Sequence, residues 1–514
     1  MEKKLFIRES SGLVKDASVL DAIMINLGNM SAGAGIYFIT SALTPGSNAI
    51  VTSLIGLLLT IPQAILYTLL MLDIPRTGGD YVWMSRLVSP WIASPLAIAL
   101  ALQTLAYIAL IALSVPSFLS SSLGALAVAS SNTALSSFSA TLLQPTYTAI
   151  LAAIVFSIGI AVNIFKPKFG FMFISVTAII AIVATIMTLV GMLYYGHSAF
   201  VSSINSLLAT YNTSYYKIST VSTSSFSFSA TMSLLPLFVV FIYPWLNASP
   251  GIAAEIKGLN RKGKYNLFLS LVFTGIIVTL SLAVMYGVVG INFANNAPSN
   301  WPTSAPVSPN FLTYAILTIK NPILDWIVAI GYPFWDLATI GYGIVIFARY
   351  VFALSFDRVL PEKFAYISPK FKSPVYIHLL DFAGTMIIIV VSIFFASIYD
   401  LFGTTLLGMV WFAIVSLGGI LYARKSFFKD SNSSRIKIGK IPVITIASVL
   451  SFIYFIYLSY VFIKDPALGG NAFADEFIGI AVIAGVVIYA LRYYTLKKNE
   501  GIDLRLLYQE IPPE

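Results

Sequence analysis

The chain of 514 residues contains no cysteine. That absence excludes disulfides, thiolate nucleophiles and cysteine-held metals. Histidine is almost missing too. His197 and His378 both fall near the ends of apolar segments, so a histidine metal centre inside the apolar part is not expected, and no other cofactor is called for. Charge is scarce: 10% of the residues are charged and 58% hydrophobic, and the mean hydropathy is +0.88. A soluble domain does not carry that balance. The composition is that of an all-α polytopic membrane protein whose main solvent is the lipid bilayer. The basic start, MEKKLFIRES, leads into a full-length apolar segment and not into a short run with a small-residue cleavage site, so no cleaved signal peptide is expected.

What is present is a series of twelve apolar stretches long enough to span a bilayer at 1.5 Å per residue. They lie near 17–42, 48–72, 90–122, 146–165, 170–195, 233–254, 266–294, 323–356, 375–397, 399–423, 442–463 and 475–494. Charge tests this pattern independently of hydropathy. With both termini cytoplasmic, 27 of the 30 Lys and Arg fall on the inside, beginning with Lys3, Lys4, Arg8 and Lys15, and only Lys217, Lys320 and Lys464 fall outside. One missing or extra span would scramble that split. The net charge of +9 is explained by topology in a multi-pass plasma-membrane protein and requires no nucleic-acid partner. The outside segments 120–144 and 197–229, rich in Ser and Thr, read as polar surface coils.

Two spans break the helical pattern. In the first, GNMSAGAGIYF (Gly28 to Phe38) places Gly28, Gly33 and Gly35 among Ser31, Ala32 and Ala34, removing the side chains that hold a helix together. If the helix opens there, N–H groups from about Gly33 onward suit a carboxylate, and the carbonyls ending the inner half suit an ammonium. The same small residues also suit close helix packing. In the sixth span, FVVFIYPWLNASPGIAAE (Phe238 to Glu255), Pro244 and Pro250 each remove a backbone donor, with Asn247, Ser249 and Gly251 between or beside them. Corresponding breaks in the first helix of each half point to a transporter with inverted repeats and a midplane site. A proline kink that merely packs is the alternative.

At this point the sequence resembles the amino acid–polyamine–organocation (APC) superfamily of transporters, and amino acid permeases in particular. Gly33-Ala34-Gly35-Ile36-Tyr37 matches that family's first-helix G-x-G-[IV]-[FY] pattern, and Pro75-Arg76-Thr77-Gly78-Gly79-Asp80-Tyr81 its P-x-x-G-G-x-Y link. Ala253-Ala254-Glu255 before the basic run Lys257 to Lys264 matches the end of helix six; Arg349, Asp357, Leu360 and Pro361 match the end of helix eight. The resemblance implies a leucine-transporter type fold, with twelve transmembrane helices arranged as a 5+5 inverted repeat plus two extra helices. The implied division is an N-tail at 1–16, a first repeat at 17–228, a second at 229–423, helices eleven and twelve at 424–494, and a C-tail at 495–514.

Carried over by position, Ser31, Ala32, Gly33, Ala34 and Gly35 would surround the substrate carboxylate, and Ile242, Tyr243, Trp245 and Asn247 would line the helix-six break. Phe241, Tyr243 or Trp245 would be the aromatic gate. The chain departs from many proton-linked relatives in having no Lys between Gly170 and Gly196. Helix six offers Asn247 and Ala248 where some cation-transporting relatives place an acid. Asp336, in GYPFWDLATIGYG, is the foremost ionisable group within a span and a candidate coupling or cation site, since a buried carboxylate must be matched. A capped or solvent-reached aspartate lining the outer vestibule is the plainer reading. Asp21 and Asp381 read as interfacial or packing residues, and Tyr107 as core.

The expected function is secondary transport of amino acids, symport or antiport, by alternating access, with a neutral amino acid as first choice and a polyamine or cationic amino acid as the alternative. A proton or sodium ion is a candidate coupling partner. An intramembrane aspartyl hydrolase needs two carboxylates that meet, and the topology puts Asp80 inside and Asp400 outside. A channel would show a pore-lining ring that the sequence lacks. No enzyme activity is therefore expected.

Overall fold

The computed structural model describes residues 12–465, 468 and 470–512. The basic residues Lys3, Lys4 and Arg8 of the expected N-tail lie outside the described residues. Ser18 opens the first helix through a capping box with Asp21, so α1 runs Val19–Asn29. The chain then breaks at Met30 and Ser31, and α2 continues over Ala32–Thr40. Asn48 caps α3, Ala49–Asp73, and a short link helix, α4 (Gly79–Leu87), follows. Next come α5 (Pro90–Ser130), α6 (Thr133–Thr141), α7 (Pro145–Phe165), α8 (Pro167–Ala209) and α9 (Tyr215–Thr220).

The region of the sixth expected span is broken into pieces. Helices α10 (Phe228–Met232) and α11 (Leu235–Phe241) precede a non-helical stretch over 242–247, and α12 (Ala248–Gly251) follows it. The second half continues with α13 (Asn266–Val289), α14 (Ile291–Asn300), α15 (Phe311–Thr318), α16 (Pro322–Gly331) and α17 (Phe334–Phe356). It closes with α18 (Val375–Val391), α19 (Thr405–Tyr422), α20 (Asn432–Arg435), α21 (Val443–Lys464), α22 (Ala472–Thr495) and α23 (Leu504–Leu507). A two-stranded ribbon pairs Lys437–Ile438 with Ile441–Pro442.

Among the described residues, ten helices are long and apolar enough to cross a membrane; Phe228–Phe241 and Val375–Val391 are shorter apolar helices. Each of the twelve stretches expected from hydropathy overlaps one of these. The apolar windows of α5 and of the α16–α17 helix are 83% and 94% buried, against 22% for the last helix. The first two therefore form the centre of the bundle, and α22 lies at its rim.

Two expectations are corrected and a third is narrowed. The segments 120–144 and 197–229 are not coils: α5 extends to Ser130, α6 fills most of the remainder, and α8 runs on past a bend at Gly196 (φ +69°) to Ala209. Their Ser and Thr hydroxyls bond back to carbonyls one turn earlier, as in Ser130 to Leu126 and Ser206 to Ser202, which lets polar residues remain helical. The eighth span is not continuous, because Pro333 supplies no donor and a turn at Tyr332–Pro333 separates α16 from α17. Of the two readings of Asp381, interfacial or packing, burial favours packing. The residue is fully buried on α18, where it accepts a hydrogen bond from Thr385 at 3.0 Å.

Candidate substrate site

The break in the first helix lies at Met30 and Ser31, between Gly28 and Gly33. Ser31 has φ +24° and ψ 61°, a conformation that costs an L residue about 1–3 kcal/mol and persists only when its surroundings impose it. Those surroundings are side chains that hold the opened backbone. Thr339 of α17 donates to the Gly28 carbonyl at 2.7 Å, and Tyr332 donates to the Gly33 carbonyl at 3.0 Å. The glycines serve closeness: a Cβ on Gly33 would lie 2.0 Å from Trp335 Cδ1, and one on Gly35 would lie 2.3 Å from Ile242 Cγ1. The packing and the helix break are thus both present, at neighbouring positions.

The second break meets the first. Asn29 Nδ2 donates to the Trp245 carbonyl at 2.8 Å and to Asn247 Oδ1 at 3.1 Å, so one amide ties the end of α1 to the non-helical stretch. Gln63 of α3 donates to the Pro244 carbonyl at 2.8 Å, replacing a donor that the proline sequence cannot supply. One turn further along, Asn26 donates to Ser249 Oγ at 3.0 Å and accepts from the Ser249 N–H at 2.9 Å. It also donates to Asn266 of α13 at 3.1 Å.

Several polar atoms here are buried without a hydrogen-bond partner in the structure, namely Asn29 Oδ1, Ser31 Oγ and Asp336 Oδ1. A buried polar group left unmatched costs about 1–3 kcal/mol, so each of these atoms has room for a further polar partner. Asp336 is fully buried on α17, which leaves the capped reading and not the solvent-reached one. Ser114 of α5 donates to its Oδ2 at 2.7 Å, and Tyr37, Tyr107 and Tyr332 lie within its field.

The aromatic candidates separate by surroundings. The Phe241 ring stacks on Phe38 with centroids 4.7 Å apart and also meets Phe402 at 6.2 Å. Tyr37 and Phe118 extend this layer at 4.3 Å. Tyr243 instead reaches α3, where its hydroxyl and Ser53 Oγ lie 2.6 Å apart. Trp245 donates to the Val239 and Val240 carbonyls and stacks on Tyr107 at 6.3 Å.

On the face that carries the basic loops, the helices are tied by buried ion pairs. Arg349 of α17 grips Glu255 through Nε at 2.9 Å and a terminal nitrogen at 2.6 Å, with both side chains at 3% exposure or less. Arg86 of α4 grips Asp357 at 2.5 and 2.8 Å, and Tyr81 adds a third bond to that carboxylate at 2.9 Å. The C-terminal segment covers this pair: the Arg86 guanidinium lies 4.8 Å from the centre of the Tyr508 ring.

The positions expected at the two breaks therefore come together, as do Asp336 and helix one's neighbours. Sequence reasoning gave no role to Asn29, Gln63, Tyr332 and Thr339, because each acts by a bond to a distant carbonyl that no pattern along the chain specifies. The signal for one of them was present: Asn29 shares a face with Asn26, three residues earlier in a largely apolar segment. Tyr107 packs against the hydrophobic core, as expected, and its ring also stacks on Trp245.

No group of three or more His, Asp or Glu side chains suited to a metal occurs among the described residues. A protein called "Uncharacterized protein 399" of Sulfolobus islandicus rod-shaped virus 1 is 25% identical over 364 residues, covering 70% of this chain and 69% of its own. The amino acid permease family matches over residues 18–486, which takes in both helix breaks, the link helix and the basic-face ion pairs. With that match over most of its length, this multi-pass membrane protein belongs to the amino acid permease family.

Proposed function

We propose that the chain is a secondary transporter of a neutral, largely apolar amino acid, working by alternating access around the paired breaks in helices one and six. The observation that carries this reading is the joining of the two breaks by Asn29, with unmatched Asn29 Oδ1 and Ser31 Oγ beside them. Backbone N–H groups at Ala32, Gly33 and Ala34 open α2 and suit a carboxylate. The nearby amide and hydroxyl oxygens suit an ammonium. Ile242, Trp245 and Tyr107 offer the side chain an apolar, aromatic wall. Phe241, stacked on Phe38, is the gate toward the outside; Tyr243 faces α3 and serves packing.

The twelve apolar helices, the shorter pair included, are read as twelve spans in two inverted repeats plus two, with both termini cytoplasmic. The basic-face ion pairs then close the inside. A cationic amino acid or a polyamine is the second reading, favoured by one observation: Asp336 has an unmatched buried oxygen beside Ser114. The test is uptake of labelled amino acids and polyamines by proteoliposomes under a pH gradient, a sodium gradient, or with unlabelled amino acid inside. Saturable uptake of neutral amino acids is expected. Uptake confined to cationic substrates, and lost in Asp336→Asn, would replace the first reading with the second.

A further inference from the structure

Asp80 is used by nothing described so far. It lies in the link α4, outside the ten long apolar helices, and is fully buried. Its partners come from two other helices and carry no charge: Tyr350 of α17 donates to Oδ1 at 3.0 Å, and Trp411 of α19 donates to Oδ2 at 2.8 Å. The Tyr350 hydroxyl accepts in turn from Asn247 Nδ2 at 3.0 Å, and Asn247 Oδ1 accepts from Asn29. A continuous chain of hydrogen bonds, Asn29–Asn247–Tyr350–Asp80, thus connects the joined helix breaks to a buried carboxyl near the basic face.

The link that carries Asp80 is also clamped to the inner piece of helix six. The Gly78 N–H donates to the Gly251 carbonyl at 2.9 Å, and a Cβ on Gly79 would come within 2.5 Å of the Pro250 carbonyl oxygen. Any swing of α12 away from α4 must part these contacts. The titratable groups facing Asp80 are Tyr67 of α3 and Tyr342 and Tyr350 of α17. Helices α5, α12 and α19 contain no Asp, Glu, Lys, Arg or His. The nearest charges on α4 and α17 are matched elsewhere, Arg86 with Asp357 and Arg349 with Glu255.

We propose that Asp80 is a proton-binding site coupled to transport, holding a proton while the inside is closed and releasing it to the cytoplasm when α4 parts from α12. This rests on the transporter reading above and adds the coupling ion to it. Burial pushes the Asp80 carboxyl up to about 6, against the pull of Trp411, Tyr350 and Asn247. A solvated aspartate titrates near 3.9. The closed form therefore binds the proton roughly a hundredfold more tightly than the hydrated open form, and opening drives release. The chain through Tyr350 and Asn247 passes the protonation state to the helix breaks, because a neutral Asp80 can donate to Tyr350 where an ionised one can only accept.

Trp411 gives a readout that needs no substrate. The expected result is a fluorescence change in purified protein as pH passes about 6, abolished by Asp80→Asn and, as a control, by Trp411→Phe. In proteoliposomes, accumulation of amino acid driven by a pH gradient should be lost in Asp80→Asn, while counterflow exchange persists because the amide mimics the protonated acid. Tyr350→Phe keeps Asp80 and breaks the chain; it should retain the fluorescence transition and lose gradient-driven accumulation. Unchanged titration and accumulation in Asp80→Asn would overturn the proposal. A fluorescence transition that depends on Asp80, in a protein that moves no amino acid, would uphold the proton site and reject the substrate reading instead.

Discussion

Replacing Glu255 by Gln perturbs the tie between helices six and eight with the least change of shape. The carboxylate is held by two Arg349 nitrogens at 2.9 and 2.6 Å, and its side chain is 1% exposed. The substitution leaves the Arg349 cation buried with at best one neutral acceptor. Removing one partner of such a pair costs about 3–5 kcal/mol. If the tie exists only in the inside-closed form, the closed-to-open equilibrium shifts by a factor between roughly 100 and several thousand. The backbone bonds between this segment and Ala17, at 3.1 and 2.9 Å, do not involve the carboxylate and should survive. The absence of native cysteine makes the assay direct. Cysteine at Ala253, 2% exposed in the closed form, should react slowly with a membrane-impermeant maleimide supplied from the basic face, and much faster when Glu255→Gln is added. Exchanging the charges by Glu255→Arg with Arg349→Glu should return part of the protection. A fall in thermal stability with no change in labelling rate would show that the pair persists in both forms, and would refute the reasoning.

Gly33→Val should abolish substrate binding and transport without loss of membrane insertion, since even a Cβ there meets Trp335 at 2.0 Å; binding measured on purified, folded protein checks it. Phe241→Ala removes the ring stacked on Phe38, an interaction worth about 0.5–1.5 kcal/mol beyond burial, and should speed substrate release toward the outside several-fold. Truncation before Tyr508 exposes the Arg86–Asp357 pair and removes the Pro512 carbonyl that accepts from Arg76 Nε at 2.5 Å. Such a protein should show faster thiol labelling from the basic face, of the same sign as Glu255→Gln and smaller in size.

The membrane class, the apolar segments and the positions of the two helix breaks were legible in the sequence. Each depends on local physics: hydropathy over about 20 residues, glycine and proline where a helix cannot continue, and basic residues gathered on alternate links. The family was legible for the same reason, since its motifs are short and contiguous. The extra turn at Tyr332–Pro333 was equally local and was passed over because hydropathy does not register it. What holds the breaks open was not legible. Asn29 reaches Trp245 across 216 positions and Thr339 reaches Gly28 across 311, and no pattern along the chain specifies which amide meets which carbonyl. Asp80 makes the point most sharply. In the sequence it is an aspartate in a polar link near basic residues, which suggests a solvated site, whereas the fold buries it between Tyr350 and Trp411. Burial and partnership are properties of the packed bundle, and they decide whether a carboxylate is a surface charge or a proton site.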